Sequence, residues 1–301
     1  MALDRFPAIY EAFDERFADV AGDRYIERVF ADGRWLEGPS YHPAHRFVLF
    51  SDIPNERVLR YDEVTGRVDV VATDSGYANG RTVDSEGRFV WCEHGGRRVV
   101  RLEHDGAIRV IADAYDGRRL NSPNDVAVHP DGSIWFTDPT YGIHSDYEGL
   151  HAEPEQPING VYRVGHSGEP TLEIAVLQQP NGIAFGEGGR VVYATDSSAP
   201  AIWQAAIAPD GTAGVAERIS EADVVYDGIR VDATGRLWVG AGDGVRCHAP
   251  DGALIGRIAF PDPVANLTFG GPQRNVLYVT ATTSLYVLRT TVTGARTSTE
   301  R

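Results

Sequence analysis

Six segments of this chain repeat one pattern: a short apolar run, a tight polar turn, then a strand-like run. They read YHPAHRFVLFSD from Tyr41, VDSEGRFVWCEH from Val83, VHPDGSIWFTDP from Val128, FGEGGRVVYATD from Phe185, VDATGRLWVGAG from Val231 and FGGPQRNVLYVTA from Phe269. The starts fall 42, 45, 57, 46 and 38 residues apart, and a period of about 40–45 residues is that of a four-stranded propeller blade. Pro-Asp-Gly, Ser-Glu-Gly and Ala-Thr-Gly turns supply Pro where φ is near its fixed value or Gly where φ is positive. The flanking runs are rich in Val, Phe, Trp and Tyr, as strands are. Third strands follow, clearest in ERVLRY from Glu56 and RRVVRL from Arg97, and a fourth closes the blade, as in IRVIAD from Ile108. The chain is therefore expected to be all-β, a six-bladed β-propeller of four-stranded blades over residues 21–290. RYIERVFADGRW, from Arg24, should supply the outer strand of the last blade and close the ring, which removes exposed sheet edges. Residues 1–20 are expected to be an N-terminal helical segment, with a short amphipathic helix over 6–18, and 291–301 a flexible tail.

The repeat also serves as a ruler. Nine positions before the start of each second strand (Arg46, Arg88, Ser133, Arg190, Arg236, Asn275) stand Glu37, Asn79, Asn124, Asn181, Asp227 and Asn266. All six carry a side-chain carbonyl or carboxylate oxygen, and four of the chain's eight Asn residues fall in this column. The first strand of a blade lines the propeller axis, so the column becomes a ring of oxygens at one end of the channel. Such donors suit a hard divalent cation, Ca²⁺ above all, with Mg²⁺, Mn²⁺ and Zn²⁺ able to accept them in some geometry. Asn and Asp also start turns, and a Gly follows four of the six, which is the competing structural explanation.

A second column, at the exits of the second strands, holds Asp52, His94, Asp138 and Asp196, then Gly242 and Ala281. His94 is the candidate for handling protons, because imidazole titrates near neutral pH. Asp52 and Asp138 are expected to bond loop backbone. The longest loop, DPTYGIHSDYEGLHAEPEQPING between Asp138 and Gly160, should cover the same end and bring Tyr141, His144 and Tyr147 toward a substrate.

Composition excludes several classes. The net charge is −15, with 43 acidic residues against 28 basic ones, all Arg, so the surface repels nucleic acid phosphates. No apolar run reaches a membrane span or a signal-peptide core, so a cytoplasmic setting without a membrane partner is expected. Cys92 and Cys247 are expected to be free thiols, and the chain carries no sequence signal for an oligomeric state. No G-x-S-x-G elbow, P-loop or Rossmann fingerprint occurs.

The stretches LEGPSY around Glu37, LNSPNDVAVHPDGSIWFTDPTYG from Leu120, QQPNGIAF around Asn181, VYDGIRVDATGRLWVG around Asp227 and the C-terminal NLTFGGPQRNVLYVTA resemble the gluconolactonase/regucalcin (senescence marker protein) family of propellers, from about Trp35 to Leu288. The resemblance implies one divalent metal held by Glu37, Asn124, Asn181 and Asp227. It implies hydrolysis of a small lactone, with Asp227 as general base; His94, acting through a water, is the other candidate for taking the proton. Asn79 and Asn266 would be second-sphere or substrate-facing, and Asn79, Asn121, Tyr141, Asp196 and Asn266 form the expected substrate-binding set. Ser122 stands where the regucalcin branch places an Arg, two residues before Asn124, so the resemblance is to the bacterial gluconolactonase branch. Two alternatives share the scaffold: a phosphotriesterase related to diisopropyl-fluorophosphatase, and a calcium- or sugar-binding propeller without catalysis.

Overall fold

Each repeat folds into a four-stranded antiparallel sheet in a computed structural model that describes residues 4–296. Blade 1 is built from Leu36–His42, Phe47–Asp52, Arg57–Asp62 and Val68–Thr73. Blade 2 uses Ala78–Val83, Phe89–Glu93, Arg98–Leu102 and Ile108–Ala112; blade 3 uses Val126–Val128, Ile134–Asp138, Gly160–Val164 and Pro170–Ile174. Blade 4 is Pro180–Phe185, Val191–Asp196, Ala201–Ala206 and Glu217–Glu221; blade 5 is Tyr226–Val231, Leu237–Ala241, Gly244–His248 and Leu254–Ala259. Blade 6 takes Val264–Gly270, Val276–Ala281 and Ser284–Arg289 from the end of the chain and Tyr25–Phe30 from its start, which pairs antiparallel with Ser284–Arg289. The first strands of successive blades touch one another all the way round, and the last touches the first, so the ring is closed as the repeat requires.

The core lies between blades. Val90, Cys92 and Val99 of blade 2 pack on Val126, Phe136 and Tyr162 of blade 3. Trp238 and Val245 of blade 5 pack on Leu267, Leu277 and Tyr286 of blade 6. Every other seam but one has such a cluster; between blades 1 and 2, among the described residues, none forms. Both cysteines are buried free thiols. No described helix is long and apolar enough to cross a membrane.

The N-terminus departs from expectation. The helix expected over 6–18 is replaced by two strands, Asp4–Pro7 and Ile9–Ala12, and a single 3-10 turn, Glu15–Phe17. Asp4–Pro7 becomes a fifth strand on blade 6, and Ile9–Ala12 a fifth strand on blade 5. The spacing of Phe6, Ile9, Tyr10, Phe13 and Phe17 suits a helix, but Pro7 interrupts it and two open sheet edges lie within reach. The tail also differs: Ala295 N donates to Val231 O at 3.0 Å, Gly294 N to Arg274 O at 2.8 Å, and Val292 is buried. The rest of the expected tail, 297–301, lies outside the described residues.

Candidate active site

The column residues stand at the start of each innermost strand, and glycines draw them together. A Cβ at Gly38 would lie 2.2 Å from the Asn79 carbonyl oxygen, one at Gly80 2.5 Å from that of Asn124, and one at Gly182 2.7 Å from that of Asp227. At Gly228 it would lie 2.2 Å from the Asn266 side chain. The Gly after a column residue is thus there for close approach to the next blade's column residue, as well as for any turn. Hydroxyls of the preceding blade pin the same carbonyls: Ser51 Oγ donates to Asn79 O at 3.0 Å, Thr137 Oγ1 to Asn181 O at 2.6 Å, and Thr195 Oγ1 to Asp227 O at 2.5 Å.

Two carboxylates of the ring, Glu37 and Asp227, come within hydrogen-bonding reach of each other. Glu37 is buried; its Oε2 accepts from Gly38 N at 2.6 Å and Asn266 Nδ2 at 3.0 Å. Burial pushes the Glu37 carboxyl up to about 7. Desolvation, then the adjacent Glu37, raises Asp227 well above the ordinary carboxylate range. Asn181 is buried, its Nδ2 donates to Ser197 Oγ at 3.0 Å, and its Oδ1 has no partner. Asn79 Oδ1 is likewise buried and unpartnered. Asn124 is buried between blades 2 and 4, held by its N–H on Thr137 O and its carbonyl on Gly80 N. Among the described residues no three His, Cys, Asp or Glu side chains form a metal cluster. The ring joins two carboxylates to amides, and its orphaned amide oxygens and facing carboxylates form a donor set that fits a hard cation.

The second column divides sharply. Asp52 accepts from the N–H groups of Arg34 (3.0 Å) and Trp35 (3.5 Å), Asp138 from those of Asn121 and Ser122 (both 2.8 Å), and Asp196 from those of Gln178 (2.6 Å) and Gln179 (3.2 Å). In each case these are the residues three and two before the column residue, so the Asp fixes the turn that delivers it. Asp196 also accepts from the N–H groups of Ser198 and Ala199, so its carboxylate is bonded to loop backbone on both sides. Asn121 is likewise engaged by the chain itself. Its Oδ1 accepts from the N–H groups of Glu155 and Gln156 (both 3.1 Å), and its Nδ2 donates to Gln156 O and Asn159 Oδ1 (both 3.2 Å), so it ties down the long loop. Asn266 spends its amide on Glu37 and on Leu267 N, which makes it an orienter of Glu37.

His94 replaces Asp in blade 2, and its fully buried ring turns to the site. Nδ1 lies 2.8 Å from Glu148 O, which can only accept, so Nδ1 carries the proton. Nε2 is then the acceptor for Asn79 Nδ2 at 3.1 Å. Burial lowers the His94 pKa to about 4, so the ring is neutral with its lone pair already committed. In that geometry His94 bridges Asn79 and the covering loop.

The long loop does cover this end. Gly142 packs on His94, where a Cβ would lie 2.4 Å from the His94 Cβ, and Ser122 Oγ bonds Gly142 N and Pro139 O. Tyr141, in the short helix Tyr141–His144, reaches Ser197 and Asn181, and burial pushes its hydroxyl up to about 12. His144 is exposed, and Tyr147 lies under the Arg34 guanidinium, 5.2 Å from ring centre to Cζ. Glu148 was not foreseen. It is half-buried, desolvation raises it to about 7, and its charge is felt by both Glu37 and Asp227. It lies in a loop outside the repeat, so only the loop's length pointed to it.

Residues 35–283 match the family model described as the SMP-30/Gluconolactonase/LRE-like region. The chain is 29% identical to a gluconolactonase of Zymomonas mobilis over 89% of this chain and 82% of that protein. It is 30% identical to a pentonolactonase of Haloferax volcanii, covering 81% and 80% of the two chains. The solved structure of a gluconolactonase from Xanthomonas campestris superposes with a TM-score of 0.89 at 32% identity, covering 96% of this chain and 97% of that one.

Proposed function

The chain belongs to the SMP-30/gluconolactonase/LRE-like family, and we propose that it hydrolyses a small sugar-type lactone to its hydroxy acid with one divalent cation on the propeller axis. The observation that carries the cation is the pairing of Glu37 and Asp227: two carboxyl groups within hydrogen-bonding reach, with no basic side chain bonded to either. The unpartnered Asn181 Oδ1 supports it. Glu37, Asn124, Asn181 and Asp227 would hold the ion, with Ca²⁺ best suited and Mg²⁺, Mn²⁺ or Zn²⁺ as alternatives. Bound there, a divalent cation supplies Lewis-acid polarisation of a carbonyl.

The lactonase reading is supported by the gluconolactonase and pentonolactonase relatives. Asp227 takes a proton from the water that attacks the carbonyl carbon. The ring C–O bond breaks, and the leaving ring oxygen takes up that proton as a hydroxyl. Glu37 is held in place by Gly38 N and Asn266. His94 holds Asn79 so that Asn79 Oδ1 is free to accept from a substrate hydroxyl or a water. Tyr141 and the loop around Glu148 exclude solvent on the outer side.

The test is a panel of aldonolactones and a phosphotriester, run after EDTA treatment and again with each metal restored. Metal-dependent lactone turnover that falls on the order of 100-fold or more in Asp227→Asn supports the proposal. Turnover of the phosphotriester alone selects the phosphotriesterase reading, and metal binding with no turnover selects a binding propeller.

A further inference from the structure

One cavity lies away from the carboxylate pair. It is about 560 Å³ and opens at the opposite end of the axial channel, among Ser40, Thr82, Val128, Phe185, Val231 and Phe269. Each of these lies three or more residues farther along its innermost strand than the column residue, roughly 10 Å at the rise of a strand. The two ends are divided by an ion pair across the channel: buried Asp125 of blade 3 accepts from Arg230 Nη1 of blade 5 at 3.0 Å, with Ile183 N of blade 4 at 3.4 Å.

The wall of this cavity is basic, although the chain as a whole carries −15. Its charged side chains among the described residues are Arg81, Arg230, Arg274, Arg296 and Asp232. Asp232 is committed to Arg236, Thr234 and Trp238, and Arg230 to Asp125. Arg81 differs. It is 3% exposed, one terminal nitrogen donates to Ser51 Oγ, and Nη1 has no partner at all. Among the described residues no carboxylate lies within salt-bridge distance of it, Glu37 acting on it only at longer range, and it sits at the seam between blades 1 and 2, the one seam without an apolar cluster. A buried guanidinium left without an acceptor is costly, and its planar fork matches a carboxylate or phosphate oxygen pair.

We propose that this cavity is a second ligand site, for a small oxyanion (a carboxylate or phosphate group) bound by the free face of Arg81. Phe185, Val231 and Phe269 give the body of such a ligand an apolar wall, and the size admits a molecule of several carbon atoms rather than a macromolecule. The site takes neither Glu37 nor Asp227 as a ligand, although the charge of Glu37 reaches Arg81 and Ser51 links Arg81 to the carbonyl of Asn79.

Calorimetric titration of the full chain in EDTA, without lactone, tests it with inorganic phosphate in one arm and acetate in the other. Saturable binding in either arm, weakened at least ten-fold in Arg81→Gln and also in Arg81→Lys, is the expected result; the tighter arm identifies the class. A crystal soaked in the tighter ligand should place it within hydrogen-bonding distance of Arg81 Nη1, a result that needs no variant to fold. No saturable binding in either arm, equal binding by the variants, or an anion found only elsewhere overturns the proposal.

Discussion

Asn79 Nδ2 stands 3.1 Å from His94 Nε2, and the other ring nitrogen of His94 stands 2.8 Å from the carbonyl of Glu148. A neutral imidazole therefore links an innermost strand to the covering loop. Glutamine can reproduce one acceptor and one donor; leucine can reproduce neither. His94→Gln should keep most of the turnover, whereas His94→Leu should lose roughly 10- to 100-fold, as removal of an orienting partner does. Equal loss of kcat in both, with the low-pH limb of the profile removed, would mark His94 as the proton acceptor.

The carboxylate pair predicts an unusual pH dependence for the metal-free protein. Glu37, raised to about 7, and Asp227, raised well above the ordinary carboxylate range, bind protons in the folded state that the unfolded state has released. Their contribution is fully present below the unfolded pKa and is lost as pH rises through about 7. His94 and His248, both lowered to about 4, act oppositely, but their contribution is complete above 6.5. In EDTA the Tm should thus fall between about pH 6.5 and 8, by the equivalent of about 1–3 kcal/mol. Added Ca²⁺ should reverse the fall, and Glu37→Gln should reduce it without abolishing it, because Asp138 and Glu148 are also raised to about 7. Scanning calorimetry at matched ionic strength reads all three.

Gly182→Ala tests whether close approach sets the site. The new Cβ would meet Ile229 N at 2.6 Å and Asp227 O at 2.7 Å, both backbone atoms that cannot swing aside. Denaturant titration should show a loss of about 1–3 kcal/mol, and metal affinity should fall with it, because Asp227 is the residue displaced. Unchanged affinity in a destabilised variant would separate the packing from the site.

Glu148→Gln removes a negative charge felt by Glu37 and Asp227, so their pKa values should drop. At saturating metal the acid limb of the kcat/KM profile should move to lower pH by roughly half a unit. An unmoved limb would place Glu148 outside the electrostatics of turnover.

The sequence was most informative where the repeat could align it. The six oxygens of the column were found by counting, and all six residues prove to take part in the close approaches that Gly38, Gly80, Gly182 and Gly228 make to a neighbouring blade. Where a residue type serves two purposes, counting could not choose. Asp138 and Asp196 look alike in sequence and both hold loop backbone, while only His94 turns inward. Residues outside the repeat were least legible. Glu148 has no counterpart in other blades, and the apolar spacing of residues 6–17 was overruled by the pairing offered by the outer edges of blades 5 and 6.

Closing the ring with residues from both ends of the chain has a consequence for how the protein is made. Glu37 receives its amide donor from Asn266, 229 residues later, and Tyr25–Phe30 finds its neighbour in Ser284–Arg289. At about 5–20 residues per second, a ribosome leaves that carboxylate waiting roughly ten to fifty seconds. Competence to bind a ligand on the axis therefore arrives all at once, after synthesis ends, and a product truncated within the sixth blade inherits five sheets and no working centre.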